Sequence, residues 1–176
     1  PVWRHVYPDS HITDVAFFEE DGSLGLSGWS GDEASSVTWA LRMSLDGQVM
    51  SRWESQELVG ASSVAFAADG GLYVSASPPY EFNPENPPHA QLIRLSPRGE
   101  PLWTLEHDNS AGNAFTTSGR VRRHPDGGVL YVVYGNGHIV YGGVERRVLY
   151  PHSRWNEEVQ VGAGQLWMRV TSDGRV

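Results

Sequence analysis

The sequence predicts an all-β protein assembled from repeated four-stranded antiparallel units, and three observations carry that prediction. One phrase occurs three times, as Val15-Ala16-Phe17-Phe18-Glu19-Glu20-Asp21-Gly22, Val64-Ala65-Phe66-Ala67-Ala68-Asp69-Gly70 and Val121-Arg122-Arg123-His124-Pro125-Asp126-Gly127. A second phrase alternates with it, as Leu41-Arg42-Met43-Ser44-Leu45-Asp46-Gly47, Ile93-Arg94-Leu95-Ser96-Pro97-Arg98-Gly99 and Met168-Arg169-Val170-Thr171-Ser172-Asp173-Gly174. The composition, with 20 Gly, 11 Pro, 7 Trp and 7 Tyr in 176 residues, is rich in turn formers and aromatics, and no sustained 3.6-residue period bounded by caps argues for helix.

Each strand follows from alternation and from the turn that ends it. Val2-Trp3-Arg4-His5-Val6 predicts a strand before any complete unit, and its Pro1-Val2-Trp3 opening resembles Pro101-Leu102-Trp103. In the first unit, strand A is expected from His11 to Phe18 and strand B from Leu24 to Trp29, because Asp-Gly between alternating runs is a strong hairpin signal. A polar loop from Ser30 to Ser36 leads to strand C, Val37 to Leu45, and strand D, Val49 to Trp53. The second unit repeats the order with Ser63 to Ala67, Leu72 to Ser77, Gln91 to Leu95 and Leu102 to Leu105. The third has Gly119 to Arg123, Val129 to Tyr134 and, after a long insertion, Leu166 to Thr171.

A period of about 50 residues with four strands per unit is that of a β-propeller blade. One partial propeller unit over residues 1–176 is expected, with blades near 11–54, 63–106, and 119–176 plus 1–6. The third unit stops at its last Asp-Gly turn, so the segment around Trp3, pairing beside Met168, is expected to complete that blade. About three blades fall short of the usual 4 to 8. The ring is therefore expected to be closed by another copy of the chain or by the remainder of a longer protein, of which this chain, beginning at Pro1, is a processed or partial form. The repeats resemble bacterial propeller repeats of secreted and surface proteins, and Gly99 to Trp103 is similar to the Gly-x-x-x-Trp ending of quinoprotein-type blades. That resemblance implies a secreted, periplasmic or cell-surface setting and specifies a scaffold, with no activity attached.

Charge and composition narrow the chemistry. A formal net charge of −8 repels a phosphate backbone, so no nucleic-acid partner is expected, and Arg120, Arg122 and Arg123 read as a solvated strand face. All 13 basic residues are Arg, which removes a lysine Schiff base and a phosphate-loop lysine. With no Cys there is no disulfide framework, thiolate nucleophile or zinc ribbon. No apolar run reaches the roughly 20 residues of a membrane helix, and no signal-peptide pattern stands at the start.

Antiparallel order places the six short Gly turns at one end of the units and every long, irregular connection at the other. Connections carry function on rigid scaffolds, so candidate ligand-binding residues are expected at that second end. They are His11, Asp14, Trp29, Asp32, Tyr80, Glu81, Asn83, His107, Asp108, Asn109, His138, His152, Arg154 and Trp155. His11 and Asp14, near the channel mouth, suit either a ligand shared with His107, Asp108 and Asn109 or hydrogen bonds that hold blades together. The insertion carrying His138, Tyr141, Tyr150, His152, Arg154 and Trp155 suits a recognition surface and also an added hairpin, Ile139 to Tyr141 with Val148 to Tyr150. Glu81, Asn83, Glu85, Asn86 and His89 offer oxygen ligands for calcium but lack the Asp-x-Asp-x-Asp-Gly spacing, so no cofactor and no metal site is assigned. Trp39, Trp53, Trp103 and Trp167 read as packing residues between blades.

No nucleophile elbow, His-Glu-x-x-His or Gly-x-Gly-x-x-Gly is present. The expected function is a non-catalytic module recognising a protein, peptide or carbohydrate. A hydrolase, lyase or quinoprotein-like oxidoreductase sited in a completed channel is the alternative.

Overall fold

The computed structural model describes residues 9–31, 35–78, 89–106, 116–136, 139–141, 144–146 and 163–175, which form strands and turns with no helix. The first sheet holds β1 (Ser10–Phe18), β2 (Ser23–Ser30), β3 (Val37–Met43) and β4 (Val49–Ser55) in sequence order. The second holds β5 (Val59–Phe66), β6 (Leu72–Ser77), β7 (Gln91–Leu95) and β8 (Pro101–Glu106) in the same order. In the third, β9 (Thr116–Arg123), β10 (Val129–Asn136) and β13 (Ala163–Val170) lie side by side, and β11 (Ile139–Tyr141) pairs with β12 (Val144–Arg146) as a separate hairpin. All pairings are antiparallel.

The expected order of strands is therefore present, with shifted ends. Strand C of the first unit stops at Met43 because the Ser44 carbonyl already accepts the Gly47 N–H of the turn at 2.9 Å. The inserted hairpin pairs Tyr141 with Val144, so its second strand starts directly after the two glycines, not at Val148 as expected. The strand proposed around Trp3 lies outside the described residues.

The turns repeat down to single hydrogen bonds. In each A–B turn the Asp carboxylate accepts the N–H two residues on, from Ser23 at 2.9 Å, Gly71 at 2.9 Å and Gly128 at 3.2 Å. This is the Asx turn that makes Asp a turn residue. In each C–D turn a hydroxyl accepts the N–H four residues on, Ser44 from Gln48 at 3.1 Å, Ser96 from Glu100 at 3.2 Å and Thr171 from Arg175 at 3.0 Å.

Burying the sheets face to face makes the core. Between the first and second sheets pack Phe18, Ala40, Val64, Phe66, Leu72, Val74, Ile93 and Leu95, with Trp53 at the margin. Between the second and third pack Ala65, Tyr73, Leu92, Val121, Val129, Tyr131, Met168 and Val170, with Trp103 and Leu105 at the margin. At about 1.5 to 3 kcal/mol per fully buried large apolar side chain, these two interfaces are the main source of stability. Turns lock onto neighbours as well: the Trp103 indole N–H donates to the Ser172 carbonyl at 3.2 Å, and Gly174 sits against that ring.

Candidate functional site

At the end opposite the Asp-Gly turns, His11, the second residue of β1, and Trp29, the last but one of β2, are directly paired across the ladder. Their rings stack, with centroids 4.0 Å apart and planes 15° apart. His11 is exposed and Trp29 half-buried, with Gly60 of β5 beneath its edge. The pairing requires a glycine at position 28, where a Cβ would fall on the His11 carbonyl oxygen. Beside the stack, Thr38 donates to the Leu58 carbonyl at 2.7 Å, tying the first sheet to the connection that enters the second.

One turn deeper on β1, Asp14 is where three sheets meet. Its Oδ2 accepts from the Ser63 hydroxyl at 2.5 Å and from the Val64 N–H at 3.2 Å, both on β5. From β9, the Arg122 guanidinium reaches Oδ2 at 3.3 Å and Arg120 lies 3.7 Å from Oδ1. Ser63 passes the pattern on by accepting the Val121 N–H at 3.2 Å. Burial pushes the Asp14 carboxyl up, but the bonds from Ser63, Val64 and Val15 and the charge of Arg122 outweigh it and hold the group below the ordinary aspartate value. This carboxylate is stabilised in its ionised form by inter-sheet partners, and those partners occupy both of its oxygens.

Arg120, Arg122 and Arg123 are exposed, as their spacing suggested, and they also tie sheets together. Arg123 pairs with Glu20 at 2.8 Å and lies over the Phe18 ring, 5.6 Å from its centroid, so the third sheet also grips the first turn. A further regularity links the two repeated phrases: the strand C arginine pairs with the Asp of its own unit's A–B turn, as Arg42 with Asp21, Arg94 with Asp69 and Arg169 with Asp126. Both members of each pair stand in the repeated phrases, yet spacing alone does not show that they meet.

Of the expected site residues, His11, Asp14 and Trp29 are described, and only His11 and Trp29 touch. Asp32, Tyr80, Glu81, Asn83, His107, Asp108, Asn109, His138, His152, Arg154 and Trp155 lie outside the described residues. Among the described residues no three His, Asp or Glu side chains group to hold a metal ion. Trp39 is buried, and Trp53 and Trp103 pack against the inter-sheet cores. A cleft of about 380 Å³, with no counterpart among the sequence motifs, opens between the outer strands of the first two sheets, lined by Trp53, Glu54, Glu57, Gln91, Pro101 and Thr104.

No family model and no curated protein matches the chain. Among solved structures it is similar to a protein of unknown function from Bacteroides caccae, at 11% sequence identity and a TM-score of 0.45, over 83% of this chain and 48% of that one. The chain thus spans about half the length of that neighbour.

Proposed function

We propose that the chain is a non-catalytic recognition module of propeller-type blades, whose connection-bearing end binds a peptide, protein or carbohydrate. The observation that supports this reading is the His11–Trp29 stack, an exposed imidazole resting on an indole at that end. Stacked aromatic rings present a flat apolar surface with polar edges, the kind of surface that binds another ring, a sugar face or an apolar side chain. The channel-sited enzyme is the less supported reading, because Asp14 is already engaged by Ser63, Val64 and Arg122.

The test is a screen of the purified chain against immobilised peptide and glycan libraries, followed by calorimetric titration of any ligand found. His11→Ala, a change at an exposed position, is expected to weaken binding about tenfold while leaving the melting temperature unchanged. A chain that retains no library member, or binds one equally well without His11, overturns the reading.

A further inference from the structure

The structure repeats one sheet-to-sheet interface twice, and each end of the chain's stack carries half of a third. Register makes Val15, Val64 and Val121 equivalent, since each lies opposite the matching residue of the next strand, Leu26, Val74 and Tyr131. Phe17, Phe66 and Arg123 are equivalent in the same way, opposite Leu24, Leu72 and Val129. Val64 and Phe66 are 1% and 2% exposed beneath the first sheet, and Val121 is 0% exposed beneath the second. Val15 and Phe17, which face away from the second sheet, are 58% and 56% exposed.

The opposite face shows the reciprocal defect. The Arg42 side chain is 9% exposed and that of Arg94 6%, and Arg42 lies against Gly70 of the sheet that follows. Arg169, their equivalent in the third sheet, is 56% exposed. At the first interface the Arg42 guanidinium sits 6.0 Å from the centroid of Phe66, a cation–π distance. Phe17 is the residue equivalent to Phe66, and Arg169 the residue equivalent to Arg42. The two open half-interfaces thus fit each other, and one chain bears both.

We infer that the face of the first sheet bearing Val15 and Phe17 is an association surface for a second copy of this chain, whose third sheet covers it and places Arg169 over Phe17. The patch is confined to the β1 row: on the same face Leu24 and Leu26 are half-buried and Leu41 and Met43 buried. A head-to-tail contact of this kind either closes or grows into a filament, and two copies related by a two-fold axis close it with each chain giving and receiving once. The inference rests on the blade-like reading proposed above.

Sedimentation velocity across micromolar concentrations tests it. The chain is expected to sediment as two copies of 19.4 kDa. Val15→Asp, which sets a carboxylate where all three sheets carry valine, and Phe17→Ala, which removes the ring beneath Arg169, are each expected to weaken association about tenfold or more. Melting temperatures of the variants show that each remains folded. A monomer at every concentration, a mass of three or more copies, or a dimer indifferent to both Val15→Asp and Phe17→Ala overturns the inference, the first leaving a further repeat of a longer polypeptide as the covering element. A monomer that still binds a ligand through His11 removes the assembly alone, and a dimer that binds nothing removes the recognition reading alone.

Discussion

Asp14 shows how one residue type serves two roles that a sequence cannot separate. Its place at the head of an inner strand suits a ligand-binding carboxylate and a structural tie equally, and the difference lies in what stands opposite. The Val64 N–H and the Ser63 hydroxyl come from a strand about 50 residues away, at a distance of 3.2 Å and 2.5 Å. Asp14→Ala leaves the Val64 N–H without its acceptor, and an unsatisfied buried donor costs about 1 to 3 kcal/mol. A loss of that size in denaturant melts is expected, and a variant as stable as the parent would contradict the tie. The Arg–Asp pairs were hidden for a related reason. Arg42 and Asp21 are 21 residues apart, Arg94 and Asp69 25, and only strand register shows that they meet.

Elements were more legible than contacts wherever alternation was unbroken. β6 and β7 begin and end where alternation and turns indicate. β5 starts at Val59, four residues before the expected Ser63, because two register shifts, at Val59/Ala61 and Ala61/Ser63, disrupt the period of two over that stretch. The Asp-Gly and Arg-Gly turns were readable as turns, but their second duty of packing on the neighbouring sheet was not. Gly99 combines the two: its φ is +86°, and a Cβ there would stand 2.8 Å from the Arg52 carbonyl oxygen of the first sheet. The left-handed conformation costs a non-glycine residue about 1 to 2 kcal/mol, and the close approach adds to that. Gly99→Ala is expected to lower stability by about 2 kcal/mol or more in urea melts, and a loss well under 1 kcal/mol would show that the turn relaxes away from β4.

For the whole molecule, the carboxylates set the response to acid. Asp14 and Asp69 are partly buried, which pushes them up, but hydrogen bonds and nearby Arg charges hold both below the ordinary value. A carboxyl whose folded pKa lies below its unfolded value near 4 contributes stability above that value and loses it as pH falls through the folded one. The melting temperature is therefore expected to hold from neutral pH to about 5 and to fall below about pH 4. Thermal melts from neutral pH to about 2 check this, and a fall confined to pH above about 6 would point to histidine instead.

The Arg–Asp pairs have one more implication. Each joins a turn and a strand of the same sheet, so each sheet carries a brace of its own beside the ties that Asp14 and Glu20 make to its neighbours. Units built this way are interchangeable masonry: one more or one fewer leaves the internal bonds of the rest untouched. The number of sheets is then freer to change by duplication or loss of a whole unit than in a fold whose every polar brace crossed between sheets.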